Sequence, residues 1–172
     1  MAQRFLARLG GETKQVEAKA ASVGAADAGK IPALGDDGRL DGSMMPAGIG
    51  ADTQILPASE ALAAGTFVNI WADAGVAKVR LADNSNGRPA DGYVLEAVSS
   101  AADATVYPLD GTNSALTGLA PGSKYYLGTA GAVTATALDE TNSSNANKIS
   151  QYLGKAKSVS ELITTDDGYV VL

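Results

Sequence analysis

The sequence predicts an all-β fold, either a jelly-roll-like β-sandwich or a partly closed barrel, with an extended N-terminal arm in front of it. From residue 55 onward, short runs of β-branched and aromatic residues alternate with turns at intervals of about 8–12 residues. The 20 Gly and 6 Pro of the chain favour short strands over long helices. We therefore divide the chain into an arm, residues 1–54, and a β-sandwich domain, residues 55–172.

The first half of the arm begins with a basic and apolar patch, residues 1–11. This patch is interpreted either as a frayed terminus or as an adhesive end that docks on a neighbour. Residues 13–23 are compatible with a short helix, with Thr13 as its N-cap and Gly24 just beyond its end. The apolar stripe of that helix is thin, so the helix would be marginal by itself.

The second half of the arm, residues 24–53, combines turn residues with isolated large apolar residues. Gly, Pro and Asp recur every few positions and exclude both a long helix and a regular strand. A flexible linker is one interpretation, but disordered linkers are poor in large apolar residues. The favoured interpretation is an extended arm laid over another surface. The predicted partner-binding anchors of the whole arm are Phe5, Leu6, Leu9, Ile31, Leu34, Leu40, Met44, Met45 and Ile49.

The predicted domain is a series of short strands. Residues 76–81 alternate apolar and charged side chains, which places one face in the core and the other in water. Pro121 and Gly122 form a turn before the next aromatic-rich strand, and Trp71 and Tyr126 are predicted to lie in the core. The strand-like runs are 65–71, 76–81, 93–98, 105–109, 124–127, 133–138, 149–156 and 169–172.

Composition and charge narrow the function classes. The formal net charge of −6 disfavours binding to nucleic acid and to anionic membranes. The chain has no Cys and no His, which removes disulfides, thiolate chemistry and the commonest general base and metal ligand. No apolar run approaches the roughly 20 residues of a membrane-spanning helix, and no secretory leader is recognisable. We therefore expect a soluble protein made inside the cell.

No catalytic, cofactor or metal site is predicted. The acidic run that starts at Asp36 lacks the spacing of a calcium loop, so it is interpreted as a solvated turn. The Glu residues do not stand in a motif typical of a glycosidase. A nucleophilic Ser would need an activating base, and none is evident. The sequence therefore predicts that the protein is not an enzyme.

Five segments of the domain resemble a β module of tailed bacteriophages, which occurs in capsid decoration (cement) proteins and in some fibre proteins. The segments are ASEALAAGTFVNIW from Ala58, GRPADGYVLEAV from Gly87, ATVYPLDG from Ala104, LTGLAPGSKYYLGTAGAVTATA from Leu116 and ISQYLGKAKSVSEL from Ile149. The arm segment GKIPALGDDGRLDGSMMPAGIGADT is similar to the segment that precedes this module in such virion proteins.

The resemblance implies a structural virion protein that binds the outer surface of the capsid and cross-links neighbouring subunits of the major capsid protein. Decoration proteins of this kind are homo-oligomers, with a trimer favoured and a dimer as the alternative. The expected location is the capsid surface, after synthesis in the cytoplasm of the host bacterium. The alternative function is a head or tail fibre component that binds a host receptor or glycan. A depolymerising enzyme is a third, less favoured hypothesis.

Overall fold

The computed structural model describes residues 3–36, 38–45 and 52–172. The chain divides into two compact units, Met1–Gly50 and Ala51–Leu172. The regular structure of the described residues consists of short strands and three single-turn 3₁₀ helices, which confirms the all-β class. No helix in the described ranges is long and apolar enough to cross a membrane.

The N-terminal unit begins with a hairpin and not with a single extended arm. Strand β1 (Arg4–Leu9) pairs antiparallel with β2 (Glu12–Glu17), and the two-residue loop Gly10-Gly11 has positive φ at both positions. The helix predicted at 13–23 is therefore wrong. Two glycines suit a hairpin turn with this backbone geometry, and six cross-strand pairs satisfy the backbone better than a helix with a thin apolar stripe.

After the hairpin, the N-terminal unit is held together by backbone contacts between loops. Lys19 N donates to Ile31 O at 2.9 Å, and Ala33 N donates to Lys19 O at 2.7 Å, so residues 31–33 lie beside the continuation of β2. The 3₁₀ turns of this unit are Gly24–Asp27 and Gly42–Met44.

The second unit contains eleven named strands, all paired antiparallel. The largest sheet has the order β10-β9-β11-β12-β8, with β13 also beside β11, and two smaller sheets have the orders β3-β7 and β5-β4-β6. A third 3₁₀ turn spans Ser143–Asn145. The strands are β3 (Gln54–Pro57), β4 (Phe67–Asp73), β5 (Val76–Leu81), β6 (Gly92–Tyr93), β7 (Asp103–Val106), β8 (Thr112–Asn113), β9 (Lys124–Leu127), β10 (Val133–Thr134), β11 (Ile149–Ala156), β12 (Leu162–Thr164) and β13 (Tyr169–Val171).

Strands β5, β9 and β11 have the bounds that the sequence predicts. The predicted strand 93–98 overlaps β6 only at Tyr93, and the predicted strand 133–138 shortens to the two residues of β10. Beyond Tyr93 the chain forms separate bonds to residues 62–66 and leaves the regular ladder. Beyond β10, the Thr134 hydroxyl accepts from Thr136 N at 3.2 Å and turns the chain away.

Strand β4 separates two apolar clusters of the second unit. Phe67 packs with Leu127, Leu153 and Leu162 in the first cluster. Val68 packs in the second cluster, which also contains Val79, Val94 and Val106. Because neighbouring residues of a strand point to opposite faces, Phe67 and Val68 enter different clusters.

Two aromatic residues predicted as core lie elsewhere. Tyr126 is only half-buried and its ring contacts Tyr152, with centroids 5.6 Å apart, on the outer face of the large sheet. Its neighbour Tyr125 is the buried one, and the Tyr125 hydroxyl accepts from Ala120 N at 2.9 Å. Trp71 is also half-buried, with its indole N–H donating to Ser59 Oγ at 3.0 Å. In both cases strand alternation, rather than aromatic character, decides which side chain faces the core.

Candidate partner-binding surface

The N-terminal unit is organised around polar contacts. The Asp27 carboxylate accepts from Val23 N at 2.9 Å and lies 3.4 Å from the Lys19 ammonium. The hydrogen bond from Val23 N, assisted by the charge of Lys19, lowers the pKa of Asp27. The Ser43 hydroxyl accepts from Ser22 N at 2.9 Å and thereby connects the second 3₁₀ turn to the segment that precedes the first. Local hydrogen bonds therefore fix much of the shape of this segment.

Most of the large apolar side chains in the described part of this unit are exposed. Seven of them are between 40% and 77% exposed: Leu6, Leu9, Val23, Ile31, Leu34, Leu40 and Met45. In the described parts of residues 3–45, Ala33 is the one buried apolar residue, whereas 19 such residues lie in the second unit. A unit that buries so little apolar surface gains little hydrophobic stabilisation by itself, and its exposed side chains are available to a partner.

The hairpin distributes its predicted anchors over both faces. Phe5 lies opposite the half-buried Val16, and Leu9 is on the same face of the hairpin. Leu6 lies on the other face, opposite Gln15. The anchors of the hairpin therefore do not form one stripe.

The remaining anchors are spread along the loops. Phe5 and Ile31 line a shallow groove of about 230 Å³, Met44 lines another of about 260 Å³, and Leu34 lines a third of about 510 Å³. Leu40 and Met45 are exposed, and Ile49 lies outside the described residues. Val23, the most exposed of the apolar set, is not among the predicted anchors.

The two units differ sharply in charge. Residues 1–50 contain six basic and six acidic side chains, whereas residues 51–172 contain seven basic and thirteen acidic ones. The whole formal charge of −6 therefore belongs to the second unit. A neutral, apolar-rich segment can approach a protein surface with little electrostatic repulsion.

The second unit carries a polar cluster that the sequence did not predict. The Arg80 guanidinium lies 4.7 Å above the Trp71 ring, and Arg80 Nε donates to Asn69 Oδ1 at 2.9 Å. Asn69 Nδ2 in turn donates to Asp91 Oδ2 at 2.9 Å, which also accepts from Ile70 N at 2.7 Å. These groups satisfy one another's hydrogen-bonding capacity, so the cluster stabilises the β4–β5 face.

In the described residues, no group of three Asp, Glu, His or Cys is arranged to hold a metal ion.

Asp91→Asn is expected to become relatively more stable than the wild type as pH rises. Burial raises the pKa of Asp91, and the charge of Asp166 adds to the rise. The native state then binds the proton more tightly than the unfolded state, so the wild type loses stability as pH rises from the unfolded pKa through the folded one. Asparagine keeps an acceptor oxygen without the charge. Denaturant unfolding of both proteins across acidic to neutral pH measures the difference, and a constant difference would contradict the prediction.

Comparison with known proteins finds a partial structural similarity. No protein-family model matches the chain, and no curated protein matches it. Among solved structures, the N-terminal base of the head fiber protein gp8.5 of bacteriophage phi29 is similar at 12% sequence identity, with a TM-score of 0.45. The similarity covers 67% of this chain and 95% of that one.

Proposed function

We propose that the protein is a structural component of a tailed-bacteriophage virion that binds the outer surface of the capsid through its N-terminal unit. The observation that carries the proposal is the outward-facing apolar set of that unit, which has almost no core of its own among its described residues. The resemblance of the five domain segments to virion β modules supports the phage assignment.

In the proposed arrangement, each N-terminal unit contacts more than one subunit of the major capsid protein. Its anchors point in several directions, from both faces of the hairpin and from separate loops. A segment of this kind can bridge two neighbouring surfaces, and many weak contacts repeated over a shell give strong overall attachment. The protein then stabilises the head by cross-linking its subunits.

A fibre component is the second candidate, because the same five segments resemble fibre modules as well. The N-terminal unit would then anchor the protein at one attachment point, and the β domain would project away from the head. The two candidates predict different effects on the shell. Cross-linking raises the temperature at which empty heads break, whereas a fibre leaves it unchanged.

The test uses purified heads that lack the protein. We expect added protein to co-sediment with the heads and to raise their breakage temperature. Co-sedimentation without a change in the breakage temperature of the heads would favour the fibre candidate. Absence of the protein from purified heads and virions alike would overturn both.

A further inference from the structure

The outer face of the large sheet carries an arrangement that folding does not explain. Lys124 of β9 lies directly opposite Lys155 of β11, and both side chains are exposed. Like charges directly opposite each other on neighbouring strands destabilise a sheet. Neither lysine forms an ion pair with any of the described residues. Two uncompensated cations therefore stand side by side on a domain of net charge −6.

Apolar side chains adjoin these lysines on the same face. Lys155 lies opposite Ile163 of β12, which is 51% exposed. In the next row, Tyr126 pairs with Tyr152, and Lys124 Nζ lies 5.9 Å from the Tyr152 ring. Half-buried tyrosines and an exposed aliphatic side chain beside cations are typical of a protein interface, in which an apolar centre has a charged rim. We call Lys124, Lys155, Tyr126, Tyr152 and Ile163 the basic face.

A groove elsewhere on the same domain has the opposite charge. It has a volume of about 410 Å³ and is lined by Glu96 and Asp103, together with Leu95, Val98 and Tyr107 among other residues. Glu96 and Asp103 are exposed, and neither forms an ion pair with the described residues. We call it the acidic groove.

We propose that the basic face of one copy binds the acidic groove of the next copy, so that the protein associates head to tail. The favoured partner is a second copy because each copy supplies both surfaces and their charges are complementary. Pairing of two basic faces would bring four uncompensated lysines together, so charge opposes a two-fold, face-to-face dimer. A head-to-tail contact between different surfaces closes into a ring when its rotation permits. This proposal does not depend on the proposed function.

The test is charge reversal in the full-length chain, followed by sedimentation velocity at increasing protein concentration. We expect the wild type to self-associate and salt to weaken the association. Lys124→Glu with Lys155→Glu is expected to weaken it by about tenfold or more, because it places like charges against the groove. Glu96→Lys with Asp103→Lys is expected to weaken it similarly. All four substitutions together restore opposite charges and are expected to restore the association.

The control is Lys14→Glu with Lys30→Glu. It changes the net charge of the chain by the same amount as the reversal of Lys124 and Lys155, but its two positions lie in the N-terminal unit. Circular dichroism of each variant verifies that the fold is kept. A wild type that stays monomeric at its highest attainable concentration would overturn the proposal. So would an association that the lysine reversals leave intact, or a fourfold variant that stays as weak as the two double variants.

Discussion

Gly154→Ala is expected to lower the free energy of unfolding by about 3–5 kcal/mol, from backbone strain and overpacking together. Gly154 has φ of +146°, which side-chain-bearing residues rarely adopt. An added Cβ would overlap the carbonyl oxygen of Ile163 and lie 2.9 Å from its carbonyl carbon. The clash falls on backbone, so β11 and β12 must separate where Gly154 pairs with Thr164. Equilibrium denaturation measures the loss.

Gly168→Ala is the matched control for that prediction. Gly168 also has positive φ, +73°, but an added Cβ meets no atom within 4 Å. Only the left-handed strain applies there, and it costs about 1–2 kcal/mol. Equal losses for the two variants would mean that the close β11–β12 approach at Gly154 contributes nothing.

Replacing three exposed leucines of the N-terminal unit by serine is expected to weaken binding to heads by about a hundredfold or more, because the exposed part of each side chain would be buried in the contact. The variant carries Leu6→Ser, Leu34→Ser and Leu40→Ser. Full burial of one leucine contributes about 1.5–3 kcal/mol, and about 1.4 kcal/mol corresponds to tenfold in affinity. The three side chains are 73%, 55% and 46% exposed in the free protein, so the substitutions remove little internal packing. Co-sedimentation with heads at graded protein concentrations measures the affinity.

The control for the leucine variant carries Ile55→Ser, Val76→Ser and Val159→Ser in the β domain. These side chains are 70%, 53% and 62% exposed, and so are comparable in exposure to the three leucines. We expect this control to bind heads as the wild type does. If it loses binding and the leucine variant keeps it, the β domain makes the contact and the N-terminal unit does not.

The all-β class and several strands could be predicted because their local patterns are strong. Residues 76–81 alternate apolar and charged side chains, and Pro121-Gly122 marks the turn before β9. Strands β8 and β12 have two and three residues, too few to show a period. The hairpin of residues 4–17 was missed because residues 1–11 were interpreted as a terminal patch and residues 13–23 as a helix, so that the two strands fell into separate segments.

The exposure of the predicted anchors could not be inferred from the sequence, because burial depends on what the chain packs against. The sequence identified Leu34 and Leu40 as isolated apolar residues, and the structure adds that they face outward. The basic face was missed for a different reason. It combines Lys124 and Lys155 from strands about thirty residues apart, whose register is a tertiary property. Strict alternation applied to β9 would have placed Lys124 and Tyr126 together on the outer face.

The central proposal is that the protein attaches to the capsid through its N-terminal unit. An electron cryomicroscopy map of the virion tests this directly. We expect the map to show residues 3–45 against the capsid shell, with Leu6 and Leu34 buried in the contact and the β domain on the outside. A map in which the β domain touches the shell while residues 3–45 extend into solvent would contradict the account.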